Sequence, residues 1–339
     1  MTVSFDALAA TPRLLIEANL VPVQGARFQP TGFADLGPAE FTRPSDGTQM
    51  LLVESAQSVA NRLESAILGA DGVSPMEELE GLPYVRVRLT GQGKGVTTSS
   101  LVEAHRLNSP FISSNKKFES RFLESSGYRK GKVIQWNKVA EAIFSMDPCS
   151  LIHGVFFSNL EDGRLRLPRA LTGFVEAEGV ERAASGGVKN NHFDPAGEIR
   201  AEGYDKDVYG NVPYSRVEFT AQRITAYFNL DMTQVRSYGL PDAATRLLIG
   251  LSLLKVQRFF DHGLRLRTAC DFRLDAEPRA TQPEGWALPT TSAVLTAVRA
   301  AIKECRKSKL LDENPMELET VTKKKTKKDA KKAPADSDS

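Results

Sequence analysis

Only a few groups of residues in this sequence have the types and spacing to do chemistry. Gly91-Gln-Gly-Lys94-Gly-Val-Thr-Thr98 follows a strand signal and resembles a phosphate loop. A nucleotide-binding P-loop needs GxxxxGK[ST]. Here Gly95 follows the lysine and Arg88 holds the place of the first glycine, so no hydroxyl stands beside Lys94 to hold Mg²⁺. That argues against a nucleoside-triphosphate site, although glycine amides around Lys94 leave room for a nucleic-acid phosphate. Cys149 and His153 have CxxxH spacing, which reads as a buried cysteine and a hydrogen-bonded core histidine. His105, His192 and His262 have no matched ligands, and HExxH, GxSxG and H-x-E…C-x-x-C are absent. His192 and Asp194 are close enough in sequence for acid–base work, yet such a loop pair is usually only polar. Neither a catalytic set nor a metal or cofactor site is expected.

The more informative residues are polar and basic. Arg182-Ala-Ala-Ser185-Gly186-Gly187-Val188-Lys189-Asn190-Asn-His-Phe-Asp-Pro195 gathers small residues, amides and cations into one polar loop. Its glycines would let a backbone lie against phosphate, with Lys189 supplying charge and the Asn side chains reaching sugar or base edges. An ordinary flexible hairpin would look the same. Val23-Gln-Gly-Ala-Arg27-Phe-Gln29-Pro-Thr-Gly-Phe33 sets a cation beside aromatic rings, as nucleic-acid surfaces do, but Phe28 and Phe33 would serve equally well in a core. Arg265 and Arg267 should leave one strand face together, as a phosphate track or as a solvated face. Lys116 and Lys117 are a weaker pair.

Strands and helices must position these groups. Leu14, Ile16, Ala18 and Leu20 alternate as in a strand. Leu52, Ala56, Val59, Leu63 and Ile67 recur at helical spacing, and Tyr84–Thr90 alternates again. The last third repeats the pattern: alternation from Arg223 to Leu230, a helix carrying Leu247 to Phe259 after Pro241, alternation from Leu264 to Phe272, and a helix from about Ser292 to Lys307. A helix is also expected around Trp136, Val139, Ala140 and Ile143, stopped by Pro148. Two β-α-β units predict an α+β fold with an RRM-like (ferredoxin-like) core. The body would span 1–310, with insertions at about 91–213. No stretch fits the ring-bearing K/R-G-F/Y-G/A-F-V-x-F/Y signature of RRM sheets, so any RNA should be held by loops and insertions.

Composition narrows the class. The chain has 339 residues, 41% hydrophobic, with a net charge of +2. Seven Lys against three Asp in 320–339 leave the rest near −2, so a basic surface must be local. Residues 311–339 are expected to be a disordered, solubilising, Lys-rich tail. Three cysteines without CxxC suggest no disulfide framework. Leu247–Val256 contains Lys255 and is too short to cross a bilayer. With no secretory signal visible, a soluble cytoplasmic protein is expected.

The stretches PVQGARFQPTGF (22–33), LLVESAQSVANRLE (51–64), LTGFVEAEGVERAASGGVKNNHFDP (171–195), RITAYFNLD (223–231) and GLRLRTACDF (263–272) resemble the GSU-type, Csb-one-like proteins of type I-U (I-G) CRISPR systems, within the RAMP superfamily and the Cas-seven backbone group. The likeness runs in order from about 12 to 275 and leaves out the tail. It implies an RRM-like palm with inserted finger and thumb elements. Copies would form a helical filament on one CRISPR RNA, with a thumb hairpin kinking the guide and sequence readout left to base pairing with DNA. It implies a non-enzymatic antiviral-defence protein. Implied partners are the guide RNA, target DNA through the guide, further copies of the chain, a fused Cas-five/Cas-six-like subunit, a large subunit and a recruited helicase-nuclease. By the same resemblance Arg182, Ser185, Gly186, Gly187, Val188, Lys189 and Asn190 become the RNA clamp or thumb loop. Arg27 and Gln29 become phosphate or sugar contacts, with Lys94 and Arg267 as further candidates. The competing expectation is a metal-dependent endoribonuclease on the same fold, with Asp194 or Asp205 in the role of the loop aspartate of related type III subunits.

Overall fold

The computed structural model describes residues 5–33, 35–199, 210–261, 263–312 and 315–323. The fold is α+β around a curled antiparallel sheet. In spatial order its strands are Leu264–Arg267, Cys270–Leu274, Arg13–Pro22, Arg223–Asp231, Leu171–Glu178, Gln49–Glu54 and Glu40–Thr42. Arg279–Gln282 also pairs with Arg13–Pro22. The first strand shows why the sheet forms where it does: Leu14, Ile16, Ala18 and Leu20 are buried, while Glu17 and Asn19 face the other way.

Helices cover the buried face. Ala56–Ser65 starts at Ser55, whose hydroxyl accepts from the Ser58 N–H, and buries Val59, Ala60 and Leu63. Leu52, expected in this helix, is instead in the preceding strand. Asp242–Asp261 is buried on nearly all sides because the sheet lies on one flank and helix Thr291–Lys307 on the other. Gly250 permits that second contact, since a Cβ there would sit 2.9 Å from Val298 Cγ2. Phe228, Phe259 and Phe260 meet edge to face where this helix crosses the sheet.

The expected helix around Trp136 runs Trp136–Met146 and is followed at once by Pro148–His153, with Pro148 in the first turn of the second helix. Cys149, Cys270 and Cys305 are all buried free thiols, pushed up to about 12, 11 and 11 by burial.

Three further sequence expectations need correction. The strand Val85–Gly91 is not part of the main sheet; it sits in a separate sheet with Thr97–Ser99 and Met316–Thr322. Met316–Thr322 lies in the expected structureless tail, yet it pairs parallel with Val85–Gly91 and buries Leu318. Its few apolar residues hid the alternation that makes it a strand. Leu264–Phe272 is not one strand but a tight hairpin, turning at Thr268–Ala269 with Ala269 at φ 58. Alternation continues across the turn and conceals it. The lysine-rich residues after Lys323 lie outside the described residues.

Candidate nucleic-acid interface

Two core strands run on past the body. Leu171–Glu178 continues through Gly179, at φ 61, into Glu181–Lys189, and Val212–Thr220 leads back through Ala221 and Gln222 into Arg223–Asp231. The extensions pair in unbroken antiparallel register from Glu181↔Thr220 to Lys189↔Val212, forming a two-stranded arm. Nine residues at about 3.3 Å each give the arm a reach of roughly 30 Å. The polar loop expected from sequence is therefore largely a strand.

Burial fades along the arm. Phe219 and Glu218 are buried at its base, whereas Val217, Tyr214, Val212 and Val188 are exposed. The glycine pair has a specific packing reason. A Cβ on Gly187 would touch the Tyr214 ring and hydroxyl at 3.2–3.5 Å, and one on Gly186 would lie 2.7 Å from the Tyr214 carbonyl oxygen. Glycine thus lets Tyr214, 51% exposed, lie against the opposite strand. An exposed ring, bare backbone and Lys189 share this end of the arm, and Asn190 is exposed just beyond. Ser185 pairs with Arg216 further down.

The segment containing Arg27 is fastened to the arm's base. Phe28 and Phe219 exchange both backbone hydrogen bonds at 2.9 Å, and the Phe28 ring is fully buried against Phe272. This brings Arg27 to 3.5 Å from the buried Glu218 carboxylate, which also pairs with Arg216. The Gln29 N–H donates to Ala269 O at 2.7 Å, and Arg267 Nη1 donates to Gln29 O and Val53 O at 3.1 Å. Arg27, Gln29, Arg267 and the arm therefore form one neighbourhood, although they are distant in sequence.

Within it Arg267 is turned inward. Its guanidinium pairs with Glu54, which is fully buried and also takes Arg62 at 3.0 Å and the Ser58 hydroxyl. Arg265 is exposed and stands opposite Asp271 in the hairpin register, whereas the Arg267 guanidinium is drawn to Glu54, so the two charges do not form one outward track. Arg182, at the arm's root, holds Glu40 through both carboxylate oxygens at 2.6–3.1 Å.

Lys94 is exposed on a separate element, the turn of the Val85–Ser99 hairpin. The glycines there serve the neighbouring strand: the Gly93 N–H donates to the Thr322 hydroxyl at 2.7 Å, and a Cβ on Gly91 would collide with the Thr322 carbonyl oxygen. Lys117 donates to Glu317 O and Lys116 pairs with Glu119. Asp194 accepts from the Gly197 and Ile199 N–H groups at 3.0 and 2.8 Å, and those backbone bonds hold its carboxyl below the usual range. It caps a turn, while His192 is exposed. Asp205 and His262 lie outside the described residues. Among the described residues no group of three or more His, Cys, Asp or Glu is arranged to hold a metal, and no helix is long and apolar enough to cross a membrane.

Sequence reading missed Tyr214 and Arg216. No local pattern marks them: the strand is exposed over its first four residues and buried only at Glu218 and Phe219, and it falls in a segment counted as insertion.

Residues 14–182 match the family described as CRISPR-associated protein GSU0053. Among solved structures, the chain is similar to a chain of a "CRISPR RNA-guided surveillance complex, pre-nicking" at 12% identity and TM-score 0.40, covering 78% of this chain and 74% of that one. It is also similar to Csc2 of Thermofilum pendens at 10% identity and TM-score 0.31, covering 91% and 80%. Among curated proteins none matches.

Proposed function

From a chain whose residues 14–182 belong to the CRISPR-associated GSU0053 family, we propose a guide-RNA-binding backbone subunit of a type I (I-U/I-G) surveillance complex. Copies assemble along one CRISPR RNA and present it to DNA in the cytoplasm. The carrying observation is the projecting arm, whose outer part combines an exposed ring, glycine backbone and Lys189. Rings accept any base by stacking, and bare amides and cations accept any phosphate, so this chemistry binds RNA without reading its sequence. Sequence readout would then rest with the guide's own base pairing.

The body supports an RRM-like palm. Cys270–Leu274, Arg13–Pro22, Arg223–Asp231 and Leu171–Glu178 lie side by side, all antiparallel, with helices Ala56–Ser65 and Asp242–Asp261 in the connections. That is the strand order of a split β-α-β pair. In this reading the arm is the thumb. Arg27, Gln29 and Arg182 line its root, Ser185, Gly186, Gly187, Val188, Lys189 and Asn190 form its working edge, and Lys94 is a separate contact. Arg267 acts by fixing the root rather than by touching RNA. The subunit itself is not a nuclease. Its partners are further copies, a fused Cas-five/Cas-six-like subunit, a large subunit and a helicase-nuclease.

The test is co-expression with the neighbouring subunits and a repeat-spacer array, then sequencing of the nucleic acid that purifies with the tagged chain. Discrete CRISPR RNA in a particle with several copies is expected, and the double variant Lys189→Glu, Tyr214→Ala should lower RNA recovery at least tenfold. Nucleic-acid-free monomer from the unaltered chain would refute the proposal.

A further inference from the structure

A second polar concavity lies away from the arm, between the turn at Arg106–Asn108, the start of strand Val155–Phe157 and the return strand Leu165–Leu167. Its volume is about 610 Å³. Arg106, Arg166 and Arg169 line it together with Asn108, Ser158 and Asn159, and no carboxylate does. Arg106 pairs with Glu64 at 2.5 Å and donates to Gly154 O at 3.1 Å. Arg169 donates to neutral oxygens, those of Gln57 at 3.1 Å and His153 at 3.4 Å. Burial, and then repulsion from Arg106, pull its guanidinium below the usual value. Arg166 lies 6.0 Å from the centre of the Phe156 ring, which is 47% exposed at the rim.

His153 borders the same cavity. The sequence pointed to a hydrogen-bonded core histidine; it is buried, at 2% exposure, but neither ring nitrogen has a protein partner. Burial lowers its pKa well below the usual 6.5, and Lys255, Arg106 and Arg169 lower it further. Of these, the Lys255 ammonium donates to Leu63 O at 3.3 Å; at the start of the helix that carries His153, Asp147 accepts from the Ser150 hydroxyl at 2.8 Å and the Cys149 N–H at 3.0 Å. A neutral imidazole therefore brings an unused N–H to a wall with surplus positive charge.

We propose that this pocket binds the phosphate group of a nucleotide, with Arg106, Arg166 and Arg169 on the oxygens and the base stacked on Phe156. Planar guanidinium forks suit phosphate oxygens, and an exposed ring beside them suits a base. That the nucleotide belongs to the guide RNA rests on the reading above; the anion chemistry does not.

Calorimetric titration of the full chain with inorganic phosphate, with AMP and with a short single-stranded RNA tests the site. AMP affinity should fall at least tenfold in both Arg166→Ala and Arg169→Gln and stay unchanged in Lys307→Ala, an exposed lysine outside both sites. Arg166 is exposed, so its variant should leave the fold intact. If the RNA competes with AMP, the occupant is a polynucleotide phosphate; if it does not, the occupant is a free nucleotide. Either result supports the pocket. If none of the three ligands binds more weakly to the arginine variants, the pocket is refuted, even where Lys189→Ala weakens RNA binding and the arm reading stands.

Discussion

Glu54 fixes the geometry around the arm's root. It is a fully buried carboxylate that receives Arg62, Arg267 and the Ser58 hydroxyl, and Arg267 in turn reaches the backbone of Gln29 and Val53. Removing one member of a buried ion cluster leaves charges without compensation, which costs about 3–5 kcal/mol. Glu54→Gln should lose stability on that scale in denaturant unfolding, and Arg267→Ala should fall by a similar amount. A loss below about 1 kcal/mol would mean that solvent already screens the cluster. The sequence showed Arg267 on an alternating segment and suggested an outward cation. Local alternation cannot reveal a carboxylate far earlier in the chain that draws the guanidinium inward.

At the scale of elements, what depends on local pattern was legible and what depends on distant pairing was not. Arg13–Pro22 and Arg223–Asp231 alternate, and Asp242–Asp261 has a long apolar run after Pro241, so all three follow directly from the sequence. Val85–Gly91 was also read as a strand, but nothing within it says which sheet it joins. Gly186 and Gly187 were singled out for approach to a phosphate; the packing role the structure gives them, beside a tyrosine from the facing strand, was invisible without the register. Met316–Thr322 gives the sharpest test. Chain shortened to end at Leu311 loses the partner of Val85–Gly91 and bares that strand's backbone edge. It should show a lower thermal midpoint and concentration-dependent association in light scattering. Chain ending at Lys323 should match the full chain in both. Equal midpoints for the two truncations would show that the strand contributes no stability.

For the whole molecule, charge is spent internally. Arg27 and Arg216 share Glu218, Arg182 holds Glu40, and Arg43 and Arg223 share Glu178. Those arginines are already engaged by carboxylates and are less free to meet RNA. With about three phosphates neutralised, the slope of log affinity against log salt should be near −2 for single-stranded RNA, roughly a 15–20-fold loss between 50 and 200 mM. Filter binding with chain ending at Lys323 measures it. A slope of about −5 or steeper would mean that the internal ion pairs open to meet the RNA. The parallel strand Met316–Thr322 has a consequence of another kind. Ribosomes extend a chain at about 5–20 residues per second, so Val85–Gly91 emerges some 10–45 seconds before the segment that will cover it exists. During synthesis that edge is open to any extended peptide nearby. Arg86 and Arg88, set between Val85, Val87 and Leu89, place charges along it throughout the wait, the pattern by which nascent strands resist sticking to one another.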